Sequence, residues 1–163
     1  MKGSLRGAYA PRSMKYALWG MVTGTVSILI ILGITDIAGY PLLIGSLGAS
    51  AVLLFGATDS PLAQPRNLVG GHVVSAGVAV IIVALFGSGP YAIALAVGIS
   101  IFLMYLTRTL HPPGGATALI GVQGHAGVAF IFLPVLTGAL ILLAVALFTN
   151  NVVHHRQYPK HWL

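Results

Sequence analysis

Apolar residues in this chain run in long unbroken stretches, punctuated by glycine, proline or charge, and do not alternate with polar ones. The runs fall at about 16–35, 42–57, 70–87, 91–107, 114–124 and 127–149. Continuous runs suit helices, and in lipid only helices or closed barrels satisfy every backbone group, so the pattern predicts an all-α polytopic membrane protein with six membrane segments. The segments are unequal. At about 1.5 Å per residue, 42–57 reaches roughly 24 Å and 114–124 roughly 17 Å, against a hydrocarbon core about 30 Å thick. The second and fifth helices are therefore expected to be short or broken, with Gly-rich starts buried in protein or facing a watery cavity.

The two short segments resemble each other. At an offset of 67 residues, "LLIGSLGASAVLLFG" (42–56) aligns with "TLHPPGGATALIGVQ" (109–123), so that Leu43, Gly48, Ala49 and Ala51 match Leu110, Gly115, Ala116 and Ala118, and Ser50 matches Thr117. A long segment precedes and another follows each of them. This reads as two three-segment repeats, 16–87 and 91–149, within one transmembrane domain covering 1–163, flanked by basic tails at 1–15 and 150–163. Three is odd, so the second repeat would enter the membrane from the opposite side: an inverted repeat, whose substrate site is expected near the midplane where the discontinuous helices meet. Gly-Ala-Ser/Thr patterns are also common wherever membrane helices pack closely.

Composition agrees with a membrane setting. Of 163 residues 57% are hydrophobic and 6% charged, and the mean hydropathy is +0.96. The net charge of +6 does not imply nucleic acid, because the basic residues lie in connections and tails. With an inside N-terminus and six crossings, Lys2, Arg6, Arg12, Lys15, Arg66, Arg108, Arg156 and Lys160 share the cytoplasmic side and Asp36 lies outside. That predicts both termini in the cytoplasm of a bacterial or cyanobacterial inner membrane. The first run, 16–35, is longer than a signal core and lacks a cleavage site, so it is read as a retained span. Gly20 and Gly24 form a close-packing GxxxG face, within the subunit or between subunits, and six short segments make a thin bundle, so a homo-oligomer is expected.

The chemistry on offer is narrow. The spans hold no carboxylate, lysine or arginine, so the carboxylates of a cation site or proton relay are missing from them. No cysteine, HExxH or acidic cluster is present, so neither a metal, a cofactor nor an enzyme is expected. An anion needs no such charge, because helix N-termini offer free N–H groups and a positive dipole end. "GSLGAS" and "PPGGAT" supply two such starts. Gly48, Gly114 and Gly115 let backbone approach a ligand, Pro112 and Pro113 stop the chain before the helix, and Ser46, Ser50 and Thr117 add hydroxyls, or else back-bond within their own helices. Arg66 and Arg108 would concentrate anions at the mouth or serve as topology anchors. His72 and His111 stand beside Gly pairs at segment ends, where they could gate, shuttle protons, donate to an anion, or cap a helix. His154, His155 and His161 resemble a solvated basic end.

"HPPGGATALI" (111–120) resembles the motif that names the integral-membrane HPP family, and "SPLAQPRNLVGGH" (60–72) looks like its second signature. The resemblance implies a stand-alone transport core with His111, Pro112, Pro113, Gly114 and Gly115 in one motif and Gln64, Pro65, Arg66, Asn67 and His72 in the other. Cyanobacterial and chloroplast relatives are associated with nitrite transport. The expectation is therefore a passive or proton-linked carrier or channel in the lipid bilayer for a small monovalent anion, nitrite first. A neutral-solute channel and a non-transporting assembly subunit are the alternatives.

Overall fold

The computed structural model describes residues 13–38, 45–153 and 157–162. Lys2, Arg6, Arg12, Leu43, His154, His155 and Arg156 lie outside the described residues. Six helices follow in order: α1 (Met14–Ile37), α2 (Gly45–Gly56), α3 (Pro65–Phe86), α4 (Pro90–Leu106), α5 (Pro112–Gln123) and α6 (Thr137–Phe148). A stretch kinked by extended backbone at Leu133 (φ −132°, ψ 119°), Ile131–Leu136, leads into α6, and a π-wound turn, Thr149–Val153, continues it. Three stretches are long and apolar enough to cross a bilayer: Met14–Ile37, Pro65–Phe86 and Ile131–Val152. By contrast α2 and α5 have 12 residues each, about 18 Å of helix. The short second and fifth helices are as expected.

Boundaries differ from the hydropathy runs where proline sets the start. Helix α3 begins at Pro65 in the N1 position, where a missing N–H costs nothing. It therefore takes in Arg66 and Asn67, which the apolar run beginning at 70 had left in a connection. His72 is consequently two turns inside α3 and not at its end. The sixth segment starts later than 127, because helical backbone begins only at Ala129.

Two apolar cores hold the bundle. One collects Ile31 of α1, Leu47, Leu54 and Phe55 of α2, and Leu142 and Ala146 of α6. The other collects Val78, Ala79 and Ile82 of α3, Ala92 and Ala96 of α4, and Ala118 and Val122 of α5. The third helix of each half thus packs on the first two helices of the other half. The principal contacts are α1 with α2 and α6, α4 with α5 and α3, α2 with α6, α5 with α3, and the crossings α2 with α5 and α3 with α6. Exchanging α1, α2 and α3 for α4, α5 and α6 leaves that set unchanged, which is the pattern two copies of a three-helix unit make around a two-fold axis.

The C-terminal segment 157–162 docks on the bundle through its backbone and Tyr158, while Lys160 and His161 keep their side chains exposed. Gln64 accepts from Lys160 N at 2.8 Å and from His161 N at 3.4 Å through Oε1, while its Nε2 donates to Thr58 and Ser60 carbonyls. Tyr158, which is buried, donates its hydroxyl to the Ala63 carbonyl at 2.9 Å.

Candidate functional site

Helices α2 and α5 cross with their first turns side by side and antiparallel: Ser46 meets Thr117, and Ser50 meets His111. Into that crossing α3 sends His72. The result is a polar cluster of five side chains, Ser46, Ser50, His72, His111 and Thr117, each with no solvent exposure. Ser50 Oγ lies 2.7 Å from His72 Nε2 and 2.8 Å from His111 Nε2. His72 Nδ1 lies 2.7 Å from Thr117 Oγ1, which lies 2.8 Å from Ser46 Oγ. His111 Nδ1 donates to the Leu62 carbonyl at 2.8 Å. The two rings meet edge to face, with centroids 5.0 Å apart and planes at 62°. A buried polar group must find a partner or cost free energy, and each side chain here finds partners within the cluster or on nearby backbone.

Glycine makes the approach of the two motifs possible. A Cβ on Gly71 would sit 2.5 Å from His111 Cβ and 2.8 Å from the Thr109 carbonyl oxygen, and one on Gly70 would sit 2.5 Å from Thr109 Cγ2. The pair "GG" before His72 is thus the surface on which the turn 107–111 lies. Two side chains at the start of α3 clasp that turn: Arg66 donates to the Thr107 carbonyl at 2.8 Å and Asn67 to the Leu110 carbonyl at 2.7 Å. Residues 62–72 and 107–117 therefore form one unit.

The remaining candidates are placed differently. Gly114 is buried at the α3 interface, where a Cβ would be 2.8 Å from Ser75 Oγ and 2.9 Å from the Gly71 carbonyl oxygen. Gly115 faces Val97 of α4. Gly48 lines an apolar groove of about 430 Å³ between α1 and α2, together with Gly20 and Gly24, so the GxxxG face meets α2 of its own chain. Backbone donors at the start of α5 are scarcer than expected. Pro112 and Pro113 have no N–H, and Gly114 N–H is spent on the His111 carbonyl at 2.8 Å. On the α5 side of the crossing the donors left are the Thr117 hydroxyl and the His111 imidazole. His111 occupies the N-cap position of α5 without capping it through its side chain.

Arg66, Asn67 and Arg108 line a cavity of about 190 Å³ with Pro61, Gln64 and His161, next to the Leu62 carbonyl that holds His111. Arg108 adopts φ 56° at the turn leading to His111. His125, in the turn after α5, pairs with Ser88 at 3.1 Å, away from the cluster. Sequence reasoning missed the Leu62 carbonyl, a backbone group that no side-chain pattern reports. It also missed Ser75, three residues after His72 on the buried side of α3, whose Oγ donates to Met104 Sδ at 3.8 Å.

Residues 10–159 match the family described as "HPP, transmembrane region". Two transmembrane proteins of Dictyostelium discoideum are similar to the chain. One is 55% identical over 133 residues, covering 77% of this chain and 47% of that protein. The other is 53% identical over 128 residues, covering 74% and 41%. The chain thus spans under half the length of these relatives. No solved structure matches it. With the two signatures packed against each other in the fold and the family match spanning nearly its full length, the chain is an integral membrane protein that belongs to the HPP transmembrane family.

Proposed function

We propose that the protein transports a small monovalent inorganic anion across the membrane, with nitrite as the first candidate. The observation that carries this reading is the Ser46–Thr117–His72–Ser50–His111 cluster at the crossing of the two short helices, built of donors with no carboxylate among them. Hydroxyls and imidazoles can turn N–H and O–H groups toward an oxyanion, while a cation would meet no anionic ligand there. Arg66 and Arg108 beside the neighbouring cavity supply the attraction that draws an anion toward the site. That end of α3 faces the cytoplasm in this reading, and the subunits self-associate.

Nitrite uptake into liposomes holding the purified protein tests the reading. Flux above that of empty vesicles is expected, and its absence across several pH values and both signs of membrane potential would sink the proposal. Because the cluster holds no fixed charge, a neutral solute is the competing cargo. Inhibition of that solute's flux by nitrite, or its failure, distinguishes the two.

A further inference from the structure

The cluster fixes the order of its own protons. The Leu62 carbonyl can only accept, so His111 Nδ1 bears a hydrogen. In the neutral ring Nε2 then presents a lone pair, to which Ser50 Oγ donates across 2.8 Å. A hydroxyl has one proton to give, so His72 Nε2, 2.7 Å away, must donate to Ser50. His72 Nδ1 is left as the acceptor, taking the proton of Thr117 Oγ1 at 2.7 Å, a proton whose other acceptor is Ser46 Oγ at 2.8 Å. From Thr117 the bonds point the same way, through His72, Ser50 and His111 to the Leu62 carbonyl.

The same atoms also accommodate one more proton. Ser50 Oγ lies 3.0 Å from the Ser46 carbonyl oxygen. When His111 Nε2 gains a hydrogen, the Ser50 hydroxyl turns to that carbonyl and accepts from both imidazoles through its two lone pairs, with no heavy atom displaced. Thr117 has a matching alternative, since its Oγ1 can donate to Ser46 Oγ at 2.8 Å or to the Pro113 carbonyl at 3.4 Å, which frees it to accept from a protonated His72 Nδ1. Two protons at once are opposed by charge. The rings are 5.0 Å apart, and two imidazolium charges at that range, with no carboxylate beside them, repel.

The titratable groups around the pair are few. Each histidine faces the other; from the start of α3, the 107–111 turn and the C-terminal segment come Arg66, Arg108 and His161, all on the neighbouring cavity. Lys160 pairs with Asp59 at 3.4 Å on the exposed surface. Among the described residues, α2, α4 and α5 contribute no charged side chain.

We infer that Ser50 joins His72 and His111 into a single proton-binding site, which loads one proton together with one monovalent anion, so that transport is electroneutral proton–anion symport. This rests on the anion reading above. The balance is simple: one proton from water adds to His111 Nε2 or His72 Nδ1, hydroxyl rotors turn, and the positive charge so created offsets the charge of the anion. On release both leave together, and the resting order returns.

Two measurements test this separately from the anion reading. In proteoliposomes with a trapped pH indicator, a potential clamped by potassium and valinomycin, and empty-vesicle leak subtracted, nitrite influx is expected to carry one proton per nitrite at a rate independent of voltage. His72→Gln and His111→Gln should each slow it by about tenfold or more. Voltage-driven nitrite influx without proton movement would overturn the symport while leaving anion transport standing. If wild-type protein moves no nitrite, the anion reading fails, and the shared proton site is judged by 15N-imidazole NMR on wild type. There the pair should take up one proton between them. Two independent one-proton titrations of His72 and His111, unaltered by Ser50→Ala, would refute the coupling.

Discussion

Gly71 shows how the absence of a side chain can position chemistry. Its missing Cβ is the space occupied by His111 Cβ and the Thr109 carbonyl, both on the chain that carries the second imidazole. Gly71→Ala forces backbone against backbone and should destabilise the protein by about 1–3 kcal/mol, read as a lowered unfolding temperature in detergent. Gly77 on the same helix is the matched control, since a Cβ added there would meet nothing within 4 Å. Gly77→Ala should be neutral or stabilising by up to about 1 kcal/mol. Within the cluster, Thr117→Val keeps shape but strips the hydroxyl that bonds His72 Nδ1 and donates to Ser46 Oγ. A loss of about 1–3 kcal/mol is expected, with Thr117→Ser close to wild type in the same unfolding measurement.

Helices α2 and α5 begin and end at the same offset, since 45 + 67 = 112 and 56 + 67 = 123. The correspondence extends to packing. Gly71 of α3 meets Gly114 of α5, and at the same offset Gly138 of α6 meets Leu47 of α2. One contact brings two backbones together and the other seats a leucine on a glycine, so the interior is polar beside α3 and apolar beside α6. A further element is the docked segment 157–162. Burial raises the pKa of the Tyr158 hydroxyl above its ordinary value, so it remains a donor to Ala63 wherever the protein is studied. Since the folded group holds its proton more tightly than the unfolded one, this contribution is complete below about pH 10 and declines only above it. Tyr158→Phe should cost about 1 kcal/mol, and limited proteolysis should cut 157–162 faster in that variant than in wild type.

Across the bilayer, α3 sets the topology, because its 22 residues are long enough to cross and the cluster lies two turns from its Arg66 end. The chain has no cysteine, so single cysteines report cleanly. Ala57→Cys, ahead of α3, and Gly89→Cys, beyond it, should react with an impermeant maleimide from opposite sides, with Gly89→Cys labelled from outside in intact cells. Labelling of both from one side would remove α3 as a crossing and with it the proposed orientation. The least buried of the long helices is α1, whose large apolar side chains such as Met21, Leu29 and Ile30 face outward. Such a surface is stable only against lipid or another apolar face.

Much of this was written in the order of residues. Unbroken apolar runs specified helices in lipid, run length marked the second and fifth as short, and the match of Ser50 with Thr117 identified the two segments that cross. Those properties are local, set by hydropathy, length and backbone stiffness, and any chain with this pattern must respect them. Tertiary packing decided what the histidines do. His72 and His111 are 39 positions apart in sequence, and nothing in either segment says that one serine, on a third helix, stands between them. Packing also turned Gly114 from a candidate ligand contact into a helix-packing position and handed the donor role to side chains, because two prolines and a turn had already used up the backbone N–H groups of α5. Hydrogen-bond direction is a property of the assembled set: a single carbonyl, Leu62, orders the protons of His111, Ser50 and His72.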